Sequence, residues 1–314
     1  MADLSSPTYS LALQGGDFLG VFGWGFLEQL LASGRTSLEA VCGSDTGAIN
    51  AALLADGLAE GGAAAARQRL GAFWQGQGDA ISLEQRLRDS IDFERLRGHS
   101  PVQLLVCATR VRDGGLRIFR NHEISVEVLL ASCSRPLEHP PVSIDGELYW
   151  DGGYGISLPL RQLAMESRAD DVLVLQQGPH SGAAVPAEGL AQLRQLSRNG
   201  LRGAWQRELE VIQAMMEICR ADGLRQSQRS RKLQRLRIHP VAIDSALACC
   251  ADEAALWQDP AMQARLREDG QTAAEQWLRQ LGAGRGGPQS PLLQPPPLLP
   301  QSPLGRAAPR AFAS

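Results

Sequence analysis

Short apolar runs alternate with longer helical stretches through the first half of this chain. Tyr9 to Gln14 (YSLALQ) reads as a strand ending in Gly15-Gly16, and Val21 to Ala32 as an apolar helix stopped by Ser33-Gly34. Ser37 to Cys42 is a second strand and Thr46 to Leu58 a second helix. Helices are also predicted over Ala63 to Gly76, where Leu70, Phe73 and Trp74 recur at helical spacing, and over Leu83 to Ser90. Val102 to Val111 (VQLLVCATRV) is too apolar for a half-exposed strand and fits a central one covered on both faces. It pairs with Leu116 to Phe119 across Asp113-Gly114-Gly115, and a helix follows over Ile124 to Ser132. Val142 to Ile144 and Leu148 to Trp150 flank Asp145-Gly146, a second hairpin signal, and Val172 to Gln176 (VLVLQ) is another buried strand. This alternation predicts an α/β sandwich around a mostly parallel central sheet.

The second half changes character. Ala187 to Arg220 is long, polar and helical, with Leu190, Leu193, Leu196, Leu209, Ile212 and Met216 at helical intervals. Lys232 to Pro240 reads as an edge strand and Ala261 to Leu281 as a terminal helix. From Gly282 onward Gly, Pro, Ser and Gln dominate, with Pro295-Pro296-Pro297, which predicts a disordered or polyproline-like tail. The expected organisation is one α/β domain over residues 8–281 and a Pro/Gly-rich tail over 282–314.

Composition narrows the function classes. At 314 residues the chain can bury a full core, and a net charge of −3 gives no reason to expect a nucleic-acid partner. Met1 to Ser6 lack the basic-then-apolar order of a signal peptide. No apolar run approaches the ~18 residues of a membrane span, so any membrane contact is expected to be peripheral. Cys42, Cys107, Cys133, Cys219, Cys249 and Cys250 are scattered without a Cys-x-x-Cys pair, and the five histidines lack ligand spacing. Free thiols in a reducing, cytoplasmic compartment are expected, with no metal and no cofactor.

Candidate chemistry sits in three glycine-rich segments. Residues 43 to 47 read Gly43-Ser44-Asp45-Thr46-Gly47, between a strand and a helix. That is the context of a nucleophile elbow, whose flanking glycines permit a tight turn and whose central side chain is presented for chemistry. Here the central residue is Asp45. Gly15-Gly16-Asp17-Phe18-Leu19-Gly20 opens a helix, where free N–H groups can bind an anion. Asp151-Gly152-Gly153 follows Leu148-Tyr149-Trp150 and puts an aspartate on a glycine turn.

This set resembles the patatin-like phospholipase family of lipid acyl hydrolases. Phe26 to Leu31, Gly47 to Ala51, Ala131-Ser132 with Pro136, and Ile144 to Tyr154 extend the similarity, which covers roughly residues 8 to 178. The resemblance implies a three-layer α/β/α sandwich, an oxyanion loop at Gly15 to Gly20, an elbow at Gly43 to Gly47, and Asp151 as the aspartate of a Ser-Asp dyad. The departures fall on the chemistry. The family's nucleophilic serine falls on Asp45, its third oxyanion-loop glycine on Asp17, and its basic loop residue on Leu19.

An aspartate cannot furnish the activated hydroxyl on which acyl transfer depends. In a serine protease, losing the catalytic serine costs about 2 × 10⁶ in turnover. The expectation is therefore a hydrolysis-deficient pseudoenzyme that binds a lipid, an acyl group or a protein partner. The alternative is an active lipid acyl hydrolase with a non-standard Asp45/Asp151 site. Ser44 as a displaced nucleophile, Asp45 as a carboxylate nucleophile, and an aspartic-protease-like dyad are further variants. A carboxylate nucleophile needs a histidine to hydrolyse its ester, and no histidine sits in a motif that places it near the elbow; His122 and His139 are the candidates. Asp45 facing Asp151 would form a like-charge pair, repelling by about 4 kcal/mol at ~4 Å and an effective dielectric of ~20. On that basis the two share a proton, and Asp45→Asn is expected to be neutral or stabilising.

Overall fold

The structure is a computed structural model and describes residues 7–75, 81–155, 158–177, 189–221, 227–243 and 259–282. Eight strands form one sheet: β1 (Thr8–Leu13), β2 (Ser37–Gly43), β3 (Gln103–Arg110), β4 (Leu116–Arg120), β5 (Val142–Ile144), β6 (Glu147–Asp151), β7 (Asp171–Gln177) and β8 (Arg237–Ile243). Their order is β5-β6-β3-β2-β1-β7-β8, with β4 also paired to β3. The run from β3 through β2, β1 and β7 to β8 is parallel, while β4, β5 and β6 pair antiparallel. Both hairpins expected from sequence are present. Asp145 (φ 52) and Gly146 (φ 80) give the second the two positive φ angles of a two-residue turn.

The central strands are apolar throughout because both faces are covered. Leu11, Val41, Leu104 and Leu173 point into a core under α1 (Asp17–Ser33), α2 (Thr46–Gln75) and α5 (Val126–Cys133). Their neighbours Ala12, Cys42, Leu105 and Val172 point into a second core under α6 (Leu160–Glu166), α7 (Gly189–Ala221) and α8 (Gln228–Arg235). Alternation along each strand thus builds the three-layer α/β/α sandwich. Phe22, Trp24 and Phe26, which sequence leaves open as acyl-channel residues, are buried in the first core.

Several boundaries differ from the sequence pattern. The first helix starts at Asp17, four residues before the apolar run. The two helices expected after the elbow are one α2 interrupted at Gly61 and Gly62 (φ 70). Residues 232–235, expected in a strand, close α8, and β8 starts only at Arg237. Ser227 caps α8 by accepting from Ser230 N, and Leu233 and Leu236, three apart, seat it on the sheet. Three short helices gave too little periodicity to read: α6, α8 and α4 (Phe93–His99); α3 is Leu83–Ser90. The tail expected over 282–314 lies, beyond Gly282, outside the described residues.

The last helix among the described residues, α9 (Pro260–Gly282), lies against α1. A Cβ on Gly25 would sit 2.1 Å from Arg267 O, and one on Gly270 2.1 Å from Phe22 O. Arg267 also stacks over the Trp24 ring at 4.5 Å and holds Glu28 through two hydrogen bonds. Gly25→Ala is expected to pry the helices apart and cost about 1–3 kcal/mol. A thermal melt checks this; an unchanged Tm would mean the crossing relaxes freely.

Candidate functional site

Three loops meet at the carboxyl ends of the parallel strands, where open α/β sheets place their ligands. β1 runs into Gly15 and Gly16, and Asp17, Phe18, Leu19 and Gly20 form the first turn of α1 rather than a loop. Gly16 (φ 138) makes the bend. β2 ends at Gly43; Ser44 and Asp45 form the turn, and Thr46 and Gly47 begin α2. Asp151 ends β6, and Gly152 and Gly153 lie in a 3-10 turn running to Tyr154.

Asp45 sits at the apex with φ 50. That left-handed backbone is the strained geometry of an elbow, and aspartate tolerates it better than most residues. Close approach explains the glycines. A Cβ on Gly43 would lie 2.5 Å from Gly47 C, one on Gly47 2.1 Å from Leu13 O, and one on Gly15 2.3 Å from the Asp45 Cβ. Thr46 Oγ1 fastens the first loop to the elbow, donating to Gly16 O at 2.8 Å and accepting from Gly16 N at 3.2 Å. The Asp45 N–H donates to Ser132 O and to Ser132 Oγ, each at 3.2 Å, so α5 holds the turn from the other side.

Asp151 is fixed by backbone. Its N–H donates to Ser134 O at 2.9 Å, its Oδ1 accepts from Gly153 N at 2.8 Å, and its carbonyl accepts from Thr109 Oγ1 at 2.8 Å. The two aspartates share a neighbour in Cys133. Desolvation, then the charges of Asp45 and Asp151, push its thiol well above the ordinary range. Burial and Asp151 push the Cys107 thiol up likewise. These thiols are kept protonated, which disfavours a thiolate nucleophile.

One residue that sequence reasoning passed over changes the electrostatics. Arg135 Nη2 donates to Asp45 Oδ2 at 2.9 Å, and the two side chains retain only 16% and 10% exposure. The expected like-charge pair at the apex is therefore an opposite-charge pair, and a proton shared between Asp45 and Asp151 is no longer required to relieve repulsion. Arg135 Nη1 also approaches Glu138 Oε2 at 3.6 Å. The available signal was an arginine immediately before Pro136, where helix α5 has just ended. Ser44 is buried, whereas His122 and His139 are both exposed. Among the described residues, no cluster of His, Cys, Asp and Glu is arranged to hold a metal ion.

Residues 11–164 match the family model of the patatin-like phospholipases. Over that segment the chain is similar to the patatin-like phospholipases. Among solved structures it is similar to VipD from Legionella pneumophila, at 14% identity and a TM-score of 0.44 over 87% of this chain. It spans 66% of that protein's length. A second similar structure is the heterodimeric ExoU–SpcU complex of the type III secretion system of Pseudomonas aeruginosa, at 16% identity and a TM-score of 0.30. That match covers 88% of this chain and 76% of the other. No curated protein matches the chain. The patatin-like segment begins inside β1 and ends inside α6, so it contains the first loop, the elbow and the Asp151 turn. Among the described residues, no helix is long and apolar enough to cross a membrane.

Proposed function

We propose that this patatin-like domain is a hydrolysis-deficient pseudoenzyme that binds a lipid or acyl group at the elbow. The observation that carries the reading is the Arg135–Asp45 ion pair at the apex. A serine hydrolase needs an activated hydroxyl at that point. Here the apex holds a carboxylate whose Oδ2 is engaged by a guanidinium, which lowers its capacity to attack an ester. The turn, the Gly15-Gly16 bend and Asp151 converge around it, which supports a site that holds an acyl carbonyl without the attacking group.

The test is an acyl-ester assay combined with a fluorophosphonate probe. The native chain is expected to turn over nitrophenyl esters at background rates and to take up no label. Asp17→Gly, Leu19→Arg and Asp45→Ser introduced together are expected to restore measurable turnover and labelling at position 45. Native turnover abolished by Asp151→Ala, or labelling of Ser44, would instead establish an active hydrolase with a non-standard site.

A further inference from the structure

We propose that the amino-terminal half of α7 docks on the surface of an anionic lipid bilayer, beside the elbow site. The inference rests on the lipid-binding part of the proposed function. Trp205 Nε1 donates to Gln176 Oε1 at 2.6 Å, anchoring α7 at the carboxyl end of β7. Gln234 Nε2 donates to Cys219 O, near the opposite edge where β8 begins. Residues 205–219 therefore span the height of the sheet, and residues 189–204 extend about 24 Å beyond the Trp205 anchor at 1.5 Å per residue. That extension is on the side of the elbow, and α7 packs against the turn at 152–154 that follows Asp151.

Two leucines of this extension are exposed. Leu193 and Leu196 keep 52% and 68% of their surface in solvent. They fall within about 60° of Val211 and Ile218 on the helical wheel, while Trp205, Ile212 and Met216 point to the sheet-side core. Charge separates the two halves of the stripe. The sequence of 189–207 contains Arg194, Arg198, Arg202 and Arg207 and no acidic residue, whereas 208–221 contains Glu208, Glu210 and Glu217 against Arg220. A helix segment combining exposed leucines with a sequence rich in arginine and free of acidic residues fits an interface of acyl chains beneath anionic headgroups. The acidic half does not.

Co-sedimentation of the full chain with phosphatidylcholine vesicles, with or without phosphatidylserine, tests the proposal. The native chain is expected to bind the anionic vesicles at least ~10-fold more tightly, and high salt is expected to erase the preference. Leu193→Glu with Leu196→Glu should weaken that binding by about 10-fold or more while leaving the circular dichroism spectrum unchanged. Arg194→Gln, Arg198→Gln and Arg202→Gln together should remove the preference for phosphatidylserine. Val211→Glu with Ile218→Glu should change binding by less than about twofold, since that half lacks the basic charge. Equal binding to both vesicles, or equal loss from the two pairs of glutamates, overturns the proposal. So does a lipid-free dimer that the leucine changes dissociate, because the face would then be occupied by a second copy. Titration with a soluble, monomeric short-chain fatty acid reads the proposed acyl site at the elbow separately. Fatty-acid binding without vesicle binding overturns only the docking surface, and vesicle binding without fatty-acid binding overturns only the acyl site.

Discussion

Asp45→Ala is expected to destabilise the fold by about 3 kcal/mol, because it leaves the mostly buried Arg135 guanidinium without its apical partner. This reverses the expectation drawn from sequence, where the same carboxylate had only Asp151 to repel. Asp45→Asn retains a hydrogen-bond acceptor but removes the charge, so a smaller loss, of about 1–2 kcal/mol, is expected. Arg135→Ala exposes the opposite fault: the mostly buried Asp45 carboxylate loses the guanidinium that donates to its Oδ2. A double-mutant cycle in urea isolates the pair. Coupling of more than about 1 kcal/mol is expected between contacting charged groups, whereas independent effects would show that the pair contributes nothing beyond its separate members. The result also bears on function. Asp45→Ser alone removes the carboxylate that Arg135 Nη2 contacts, so a restored hydroxyl comes with a stability loss that must be measured before low turnover is blamed on the oxyanion loop.

The contrast between Asp45 and Arg135 explains what sequence could convey. The strands from Tyr9, Ser37, Val102 and Val172 were legible because short, largely apolar runs between turn signals fit a sheet covered on both faces. The elbow, the Gly15-Gly16 bend and the Asp151 turn were legible because glycines marked close approaches that a Cβ would block. Arg135 lies ninety positions from Asp45 in the chain, and nothing local to it signals an ion pair. Its role depends on α5 ending at Cys133 and turning the next residues toward β2, a tertiary event. The α8 boundary failed for a related reason. Its polar run reads as surface in either conformation, and only Leu233 and Leu236 packing under the sheet decide for helix. Long-range charge pairing and short amphipathic pieces are where local pattern carries least.

A second large loss is expected at Asp56, far from the elbow chemistry but on the helix that follows it. Asp56 is fully buried and accepts from Arg95 Nε at 2.8 Å, Arg95 Nη2 at 3.0 Å and Asp92 N at 3.2 Å, while Arg69 Nη1 lies 3.0 Å from the same carboxylate. These partners come from different elements. Arg69 belongs to the half of α2 beyond the Gly61-Gly62 break, and Arg95 to α4. The carboxylate thus clamps the two halves of α2, which approach so closely that a Cβ on Gly57 would lie 2.3 Å from Ala66 Cα. Asp56→Ala removes the common acceptor and leaves two guanidinium groups facing each other, at an expected cost of about 3–5 kcal/mol. Glu60 provides the control: it also binds Arg69, at 2.7 Å, but its side chain is 42% exposed. Glu60→Ala is accordingly expected to cost far less than Asp56→Ala, since solvent screens an exposed pair and replaces its hydrogen bonds. Urea unfolding of both variants decides the matter. If Asp56→Ala cost no more than Glu60→Ala, the break in α2 would be held by apolar packing alone, with no need of the buried charge.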